Sequence, residues 1–412
     1  MIYFVSMSRP VITGMGVLTP LGLSLEETWE RLLKNHSGIV SLDPVSFPDG
    51  NVSIAGPLPE FDPGRFLTEK EVRRWDPFMW YAAWASLAAV AHAGLKPETL
   101  RNNPRVGLIM GSSRGGIRTL THEPNWRSSA RRISPFLMSS TTPYMAAAAS
   151  AIKLEVSGPS LGISSACTSG TLALIEACGW ITSERQDIVI AGGTDAALCP
   201  MALAGYDAAG VLSRHEVPAA ASRPFDAGRS GFVLSEGAAV LVLESAEHAR
   251  DRGAKIYGSI VGTGHTTSPY HEMRPDPHYA SRAILAALAQ ADLKPEEVSA
   301  VNAHATSTIL GDAAEAKALH LALGSWGGRV PVTANKSQTG HMLAASGPAE
   351  AAIALCSLEH GILPPTINQE RPDPQCGLNV VTEPRAFDGD CILSTTFGFG
   401  GSNAVLLLRR QP

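Results

Sequence analysis

The sequence predicts an α/β fold in which two similar halves pack as one compact unit, and three observations support this. The 412 residues are 44% hydrophobic and 17% charged, which is typical of a globular protein with one large core or two fused ones. A helix-end pattern at 91–98 recurs at 289–296. Several runs, such as 188–193 and 239–243, are apolar throughout, as in strands buried on both faces.

The recurring pattern has the same neighbours in both copies. An alanine-rich helix ends and Leu-Lys-Pro-Glu follows, which is a signal for helix termination and restart. A strand-like run comes next, at 106–111 in the first copy and at 298–303 in the second, and each run leads into small polar residues. Chance similarity of two helix ends is the alternative. The shared order of helix, strand and loop favours a duplicated α/β unit.

Charge and cysteine content restrict the classes of partner and compartment. The net charge of -5 gives no general attraction to nucleic acid or to an anionic membrane. The six cysteines include no C-x-x-C pair, and the opening run 1–7 is too short for a signal peptide or a membrane span. We therefore expect free thiols in a cytoplasmic protein, with Met1 and Met7 both open as the start residue.

Cys167 lies at a predicted turn from a strand into a helix. The run 162–170 is rich in small residues and precedes a helical pattern that begins near Leu172. Unpaired N–H groups and the positive end of the helix dipole favour a thiolate there, so we expect a lowered pKa and a nucleophile. A buried structural cysteine is the alternative, since free cysteines are among the most buried residues.

Two histidines occupy comparable positions in the second half. His304 follows the predicted strand 298–303, where α/β folds expose functional groups, and His341 lies in the small-residue turn 335–347 before a helix. Either one alone could be a structural residue. Together with Cys167 they suggest a metal site or acyl-transfer chemistry, and their spacing fits none of the compact zinc patterns, so we expect no metal.

A glycine-rich run near the end of the chain, 397–403, offers flexible backbone N–H groups. These groups would suit an oxyanion hole if the run closes over Cys167, and a plain tight turn is the alternative.

Taken together, these runs resemble the β-ketoacyl-ACP synthases, where ACP is acyl carrier protein; they are condensing enzymes of the thiolase superfamily. The resemblance begins at the run 11–22, includes the hallmark segments 222–233 and 235–238, and ends at Asn403. The Cys-His-His pattern matches the elongating branch, whereas the initiating and plant polyketide branches carry Cys-His-Asn. The resemblance implies thiolase-like duplicated halves in a layered αβαβα architecture.

The resemblance also implies a division of labour between the halves and a reaction. Residues 1–255 would carry the nucleophile Cys167, and residues 256–412 would carry both catalytic histidines. In a ping-pong Claisen condensation, Cys167 accepts an acyl group from ACP and a carbanion from malonyl-ACP then attacks the thioester, with loss of carbon dioxide. His304 and His341 would donate hydrogen bonds to the malonyl thioester carbonyl.

Further residues receive roles by the same resemblance. The backbone N–H groups of Cys167 and Phe399 would hold the oxyanion, and the Phe399 ring would gate the pocket. Lys336 would pair with Glu350, for which an exposed ion pair is the alternative, and Asp312 would support the site. The family residues that bind the phosphopantetheine arm match Thr306 and Thr308, although threonine-rich turns are common without such a role.

The partner implied by the resemblance is ACP, which is acidic and needs a basic docking surface. The residues at the corresponding positions are Lys70, Arg73, Arg74, Arg131 and Arg132. A solvated helix face is the alternative for each of them. We expect no diffusible cofactor, because ACP delivers the substrates on its own prosthetic group, and we expect a homodimer that pairs through its sheets.

This chain departs from the family pattern at the acyl pocket. Arg114 replaces a small or apolar residue in the glycine-rich turn that bounds the pocket, and Tyr206 replaces a phenylalanine. A guanidinium is costly beside an alkyl chain, so the pocket is shortened or more polar, or Arg114 turns outward to a carboxylate.

Fatty acid synthesis is the expected pathway, with a polyketide or other secondary-metabolite ketosynthase as the alternative. A non-catalytic chain-length partner would lack a cysteine at position 167. A cysteine hydrolase would need an Asp or Asn partner for its histidine, and no motif in the sequence indicates one.

Overall fold

The computed structural model describes residues 9–43, 52–122 and 133–411, which form a mixed α/β structure as predicted. The strands are β1 Pro10–Leu18, β2 Val40–Ser41, β3 Ile54–Ala55, β4 Val106–Gly111, β5 Ser160–Ile163, β6 Ile188–Asp195, β7 Gly237–Ser245, β8 Gly258–Thr267, β9 Ala300–Asn302, β10 Pro331–Thr333, β11 Ile362–Leu363, β12 Asn379–Val380, β13 Arg385–Ala386, β14 Cys391–Phe397 and β15 Ser402–Arg409. The α-helices are α1 Leu25–Leu33, α2 Glu69–Arg74, α3 Pro77–His92, α4 Pro97–Leu100, α5 Ile117–His122, α6 Leu137–Thr141, α7 Met145–Leu154, α8 Ser169–Thr182, α9 Pro200–Ala208, α10 Ala246–Asp251, α11 Pro277–Ala291, α12 Ile309–Leu323, α13 Lys336–Thr339 and α14 Ser346–His360.

The strand order is symmetrical about the centre of the main sheet. From the centre outward, one side runs β1, β7, β6, β4 and β5, and the other runs β8, β15, β14, β9 and β10, with β12 beyond it. In the described sheet the two sides pair through a short antiparallel contact, in which Val11 faces Ser259 and Ile12 faces Gly258. Equivalent strands thus occupy equivalent positions on both sides, which confirms the predicted duplication.

The repeated sequence pattern lies at equivalent points of the two halves. In the first half, α3 ends at His92 and the predicted strand 106–111 is β4. In the second half, α11 ends at Ala291, but β9 is shorter than the predicted run 298–303. The difference arises because the backbone N–H of Val298 still donates to Pro295 in the preceding turn, so this residue is not yet part of the ladder.

Five layers explain why the strands are apolar throughout. Helices α8 and α14 pack between the two sides of the sheet, in a cluster that includes Val189 and Leu406. Helices α3 and α7 cover the outer face of the first half, where Ile190 is buried, and α11 and α12 cover the outer face of the second half. Since Val189 and Ile190 are neighbours on β6, both faces of that strand are buried.

The central layer brings the N-terminal ends of α8 and α14 together. A Cβ added at Gly170 or at Gly193 would lie 2.1 Å from the carbonyl oxygen of Ala344, so only glycine permits this approach. The turn before α8 carries Cys167 and the turn before α14 carries His341, so these two turns are neighbours.

Within the described ranges, no helix is long and apolar enough to cross a lipid bilayer.

Candidate active site

Cys167 lies on the turn between β5 and α8, two residues before the helix begins. The preceding residue, Ala166, has a φ of 48°, a left-handed conformation that is strained for a residue with a side chain. Two side chains hold the turn: Thr168 Oγ1 donates to the Ser165 carbonyl and Ser169 Oγ donates to the Ala166 carbonyl, both at 2.6 Å. Cys167 therefore has a fixed place just ahead of the helix, as the sequence predicted.

The thiol of Cys167 is not a preformed thiolate. The residue is half-buried, but its sulfur is sufficiently desolvated that burial raises the pKa to about 11. The charge of Asp195 raises it further, and the nearby cations Lys336 and Arg114 oppose the shift only in part. The prediction of a lowered pKa is therefore wrong, because desolvation outweighs the favourable charges. At neutral pH the sulfur needs a base to remove its proton before it can react.

His341 is placed to act as that base. Its Nε2 lies 3.0 Å from Cys167 Sγ, and its Nδ1 lies 3.1 Å from Oγ of Ser346, the first residue of α14. Burial, followed by the charge of Lys336, holds the pKa of His341 well below its ordinary value, so the ring is neutral. With its Nδ1–H donated to the Ser346 hydroxyl, a neutral ring accepts the thiol proton at Nε2.

His304 follows β9 and lies beside His341. The two ring centroids are 5.3 Å apart and the planes are nearly perpendicular, at 87°. Burial, then the charges of Lys336 and His341, hold the pKa of His304 well below its ordinary value. Its Nδ1 is buried and has no hydrogen-bond partner among the described residues. The structure thus brings the cysteine and both predicted histidines together as neutral groups.

Glu315 is a residue of the site that the sequence analysis missed. Its two carboxylate oxygens accept the backbone N–H groups of His304 at 2.9 Å and of Ala305 at 2.7 Å, and it also accepts the Thr395 hydroxyl at 2.6 Å. Ala305 has a φ of 28°, so these bonds stabilise a strained turn directly after the histidine. The available signal was a carboxylate on the buried face of α12, where the helical period predicts an apolar residue.

Lys336 and Glu350 form a buried ion pair beside the histidines. The Lys336 Nζ donates to Glu350 Oε1, and the two side chains are only 1% and 3% exposed. The alternative of an exposed ion pair is therefore wrong. Burial raises the pKa of Glu350 to about 7, and the adjacent ammonium opposes that shift. Because the charge of Lys336 lowers the pKa of His304 and His341, the pair helps to keep both rings neutral.

Asp312 contacts neighbouring segments rather than the reactive groups themselves. It is buried in the first turn of α12, accepts the backbone N–H of Phe225 at 2.9 Å and lies 3.8 Å from Arg229. Arg229 donates to the carbonyl of Thr308 at 3.1 Å and to Asp373 at 2.7 Å. Burial raises the pKa of Asp312 to about 7. Asp312 therefore ties the hallmark segment 222–233 to the loop that follows His304.

Thr306 and Thr308 lie on that loop. Their hydroxyl oxygens are 3.1 Å apart, and Thr308 also caps α12 by accepting the N–H of Gly311 at 3.1 Å. Thr306 and Gly311 line a small cavity of about 30 Å³ together with His304. Thr306 is thus adjacent to His304 and Thr308 is adjacent to Thr306, while their role toward a pantetheine arm stays a prediction.

The glycine-rich run 397–403 closes over the Cys167 turn. A Cβ built at Gly398 would lie 3.4 Å from the backbone nitrogen of Cys167, and Ser402 Oγ lies 2.8 Å from Thr168 Oγ1. Phe399 packs against the same apolar cluster as Cys167. The run is therefore more than a remote turn, because it faces Cys167, whose attack on a thioester would place an oxyanion on the thioester's carbonyl oxygen.

Arg114 faces a tyrosine. Its Nε donates to the Tyr206 hydroxyl at 2.8 Å, and its guanidinium carbon lies 5.1 Å from the centre of the Tyr206 ring. Tyr206 is buried, and its ring is linked to His341 through Phe232, with successive centroids 5.4 Å apart. No carboxylate oxygen in the described ranges lies within 4.0 Å of the guanidinium, so Arg114 does not turn to a carboxylate there.

The predicted basic surface includes α2. Lys70, Arg73 and Arg74 are exposed on this short helix, and the Arg74 guanidinium lies 4.2 Å from the ring centre of Phe136. Phe136 comes four residues after the second predicted basic run, whose residues Arg131 and Arg132 lie outside the described residues. Within the described ranges, no cluster of three or more His, Cys, Asp or Glu side chains has a metal-binding arrangement.

Comparisons with known proteins agree with this geometry. Residues 7–249 match the beta-ketoacyl synthase N-terminal domain, and residues 257–370 match the beta-ketoacyl synthase C-terminal domain. The 3-oxoacyl-[acyl-carrier-protein] synthase 2 of Coxiella burnetii is 39% identical over 411 residues, which cover 98% of this chain and 98% of that protein. The enzyme of the same name from Staphylococcus aureus is 39% identical over 407 residues, again with 98% of both chains covered.

Solved structures are similar over almost the whole chain. A beta-ketoacyl synthase from Burkholderia phymatum has a TM-score of 0.92 and 34% identity, covering 98% of this chain and all of that one. A type II polyketide ketosynthase, solved with its acyl carrier protein and bound to the hexaketide, has a TM-score of 0.90 and 29% identity, with 98% and 100% covered. These structures confirm the thiolase-like fold. The chain therefore belongs to the beta-ketoacyl synthase family of acyltransferase-type condensing enzymes.

Proposed function

We propose that the chain catalyses the elongating condensation of fatty acid biosynthesis. An acyl group held by Cys167 is joined to malonyl-ACP, carbon dioxide leaves, and a 3-oxoacyl-ACP is the product. The observation that carries this proposal is the 3.0 Å contact between Cys167 Sγ and His341 Nε2, with the ring of His304 alongside. A nucleophile and two neutral imidazoles suit acyl transfer followed by carbanion formation.

In the first half-reaction, His341 acts as a general base. Its Nε2 accepts the Sγ–H proton while the sulfur of Cys167 attacks the thioester carbonyl of acyl-ACP. The oxyanion accepts hydrogen bonds from the backbone N–H groups of Cys167 and Phe399. When the bond to the pantetheine sulfur breaks, that sulfur takes the proton from His341. Acyl-Cys167 forms and the imidazole returns to its neutral state.

In the second half-reaction, both histidines act as hydrogen-bond donors. The bond from the malonyl methylene carbon to its carboxylate breaks, carbon dioxide leaves, and the electron pair forms an enolate whose oxygen accepts N–H bonds from His304 and His341. The enolate carbon attacks the acyl carbonyl, the bond to Cys167 Sγ breaks, and the thiolate takes a proton from solvent. The Ser346 hydroxyl supports both tautomers of His341, because a hydroxyl can donate to or accept from Nδ1.

Four buried side chains position this machinery. Glu315 fixes the backbone of His304, Lys336 with Glu350 keeps the imidazoles neutral, and Asp312 anchors the following loop. None of them needs to touch the substrate for these roles. Burying charged side chains is costly in free energy, and these positioning roles explain why several of them are nevertheless buried near Cys167.

ACP is the proposed partner, as the names of the related synthases indicate for those proteins. Thr306 and Thr308 would hold the phosphopantetheine arm next to His304, and the exposed Lys70, Arg73 and Arg74 would contact the acidic carrier. The substrates arrive on the prosthetic group of ACP, so the proposed reaction needs no further cofactor.

A homodimer is proposed from the outer edge of the first half. Strand β5 ends the described sheet, and apolar side chains near it are exposed: Leu161 on the strand itself, and Tyr144 and Ile152 on the adjoining segment and helix α7. An unpaired edge with apolar neighbours favours association. Antiparallel pairing of two β5 strands about a twofold axis would extend the sheet and cover these residues.

A polyketide or other secondary-metabolite ketosynthase is the second candidate. The polar pair Arg114 and Tyr206 favours it, and so does the similarity to a ketosynthase that binds a hexaketide. The chemistry at Cys167 would be the same, so the two candidates differ in the acyl chain rather than in the catalytic groups.

Intact-protein mass spectrometry after incubation with C4, C8 and C16 acyl-ACP tests the proposal. We expect one acyl adduct on the wild-type protein, loss of the adduct in Cys167→Ala, and release of 3-oxoacyl-ACP when malonyl-ACP is added. Cys178→Ala is the matched control, because this cysteine is buried in α8 and should leave the adduct unchanged. An adduct that persists in Cys167→Ala, or that water hydrolyses rapidly without product, would contradict the proposal.

A further inference from the structure

The Arg114–Tyr206 pair holds more hydrogen-bond donors than the protein itself uses. The Nε–H of Arg114 donates to the Tyr206 hydroxyl. The N–H groups of Nη1 and Nη2 have no acceptor among the described residues. Since the Tyr206 oxygen acts as an acceptor in that bond, its own hydrogen is also available. Arg114 is exposed, so these donors are open to solvent or to a ligand, and the described residues give them no acceptor.

These donors lie close to the reactive sulfur. Tyr206 belongs to the apolar cluster against which Cys167 packs. The charge of Arg114 is near enough to lower the pKa of the Cys167 thiol, and a thiolate there would raise the pKa of Tyr206. An acyl group on Cys167 would therefore extend from a sulfur whose surroundings include both side chains.

The buried Tyr206 anchors the exposed Arg114. Tyr206 is 7% exposed, and its ring meets the edge of Phe232 at an angle of 76°. The bond from Nε to the hydroxyl orients the exposed guanidinium of Arg114 beside the Tyr206 ring. A planar guanidinium held in this way suits an oxygen acceptor, and a carboxylate most of all, because it can bind two oxygens at once.

We propose that Arg114 and Tyr206 select acyl groups that carry a carbonyl or carboxylate oxygen over saturated chains of the same length. A saturated chain would desolvate these donors without giving them a partner, which is costly, whereas an oxygen on the chain would satisfy them. The inference rests on the proposed condensation at Cys167, since it concerns the acyl group that this residue receives. It leaves the chemistry unchanged, and it favours the second candidate, a ketosynthase for oxygenated acyl chains, over one for saturated fatty acyl chains.

Acylation of Cys167 by three six-carbon acyl-ACPs tests this inference: hexanoyl, 5-oxohexanoyl and adipoyl. We expect the wild-type protein to be acylated about tenfold faster or more by at least one oxygenated chain, as one hydrogen bond to a charged group allows. Arg114→Leu should remove that preference and speed hexanoyl transfer, and Tyr206→Phe should weaken it. Arg282→Leu is the matched control, because Arg282 also lies over a tyrosine, Tyr279, at 5.0 Å but on helix α11.

The three chains separate the possible sources of the oxygen. Preference for adipoyl alone identifies a carboxylate, and preference for 5-oxohexanoyl identifies a carbonyl; both support the inference. Equal or faster transfer of hexanoyl to the wild-type protein overturns it, whatever the variants do. Failure of all three chains to acylate Cys167 would instead overturn the proposed function, so the two failures are distinguishable.

Discussion

Cys167 Sγ and His341 Nε2 lie 3.0 Å apart, although 174 residues separate them in the chain. Both partners are uncharged at rest, because burial raises the pKa of the thiol to about 11 and lowers the pKa of the imidazole. The pair is therefore a thiol beside a neutral base. A thiolate–imidazolium pair, which other cysteine enzymes use, would require the opposite pKa shifts.

Alkylation of Cys167 should show this resting state directly. Since only the thiolate reacts and its pKa is raised, we expect the rate of reaction with iodoacetamide to keep rising between pH 7 and pH 10. Mass spectrometry of the Cys167 peptide would measure the rate, with Cys178→Ala as control. A rate that is already constant below pH 8 would show a thiolate and contradict the assignment.

Glu315→Gln should impair decarboxylation more than acylation. The amide keeps the shape but cannot accept both backbone N–H groups, so the turn after His304 loses one of its bonds. We expect release of carbon dioxide from malonyl-ACP to fall about tenfold or more, while acylation of Cys167 changes little. Equal losses in both steps would indicate a general loss of structure rather than a positioning role for Glu315.

Lys336→Ala should change both stability and pH dependence. An unpaired Glu350 would remain buried, which costs about 3–5 kcal/mol in unfolding free energy. Because the charge of Lys336 lowers the pKa of both histidines, its loss raises those pKa values, so imidazolium forms at higher pH. The acid limb of the decarboxylation rate should therefore move to higher pH.

The double variant Lys336→Met, Glu350→Leu separates these two effects. It removes both charges, so urea denaturation should give nearly the stability of the wild-type protein. The shifted pH profile should persist, since the ammonium is still absent. A normal pH profile in the double variant would show that Lys336 does not act on the histidines through its charge.

Charge reversal on α2 tests the docking surface. We expect Arg73→Glu with Arg74→Glu to raise KM for acyl-ACP several-fold at low salt and to leave KM for an acyl-pantetheine thioester unchanged. Arg101→Glu is the control, because Arg101 is exposed and lies beside Glu155 rather than on α2. Equal loss with both substrates would remove the docking proposal.

The proposed homodimer can be tested at its sheet edge. Sedimentation equilibrium should give about twice the chain mass of 43.3 kDa for the wild-type protein. Leu161→Lys should shift the equilibrium toward monomer, because it places a charge on the edge strand. A wild-type mass of one chain, or an unchanged mass in the variant, would contradict pairing through β5.

Much of the fold followed from the sequence because the signals were local or repeated. The run 106–111 is β4, and the duplicated pattern corresponds to equivalent strands on the two sides of the sheet. Cys167 and His341 could be placed from the small residues of their turns. The division at residues 255 and 256 stays a prediction.

Other features depend on tertiary contacts that no local pattern encodes. The raised pKa of Cys167 reflects the packing of distant segments around the sulfur, which outweighs the helix terminus that the sequence does reveal. Glu315 and Ser346 acquire their roles only when the fold brings them to the histidines. Similarly, the bond between Arg114 and Tyr206 joins a turn to helix α9, and the two residues are 92 positions apart.

The central claim is that one sulfur and two neutral imidazoles form a carbon–carbon bond. The most direct test is a single-turnover assay in which protein already acylated at Cys167 is mixed with malonyl-ACP, for the wild type, His304→Ala, His341→Ala and Cys178→Ala. We predict that 3-oxoacyl-ACP forms with the wild type and Cys178→Ala, and at least about a hundredfold more slowly with either histidine variant. Product formation at the wild-type rate in either histidine variant would contradict the claim.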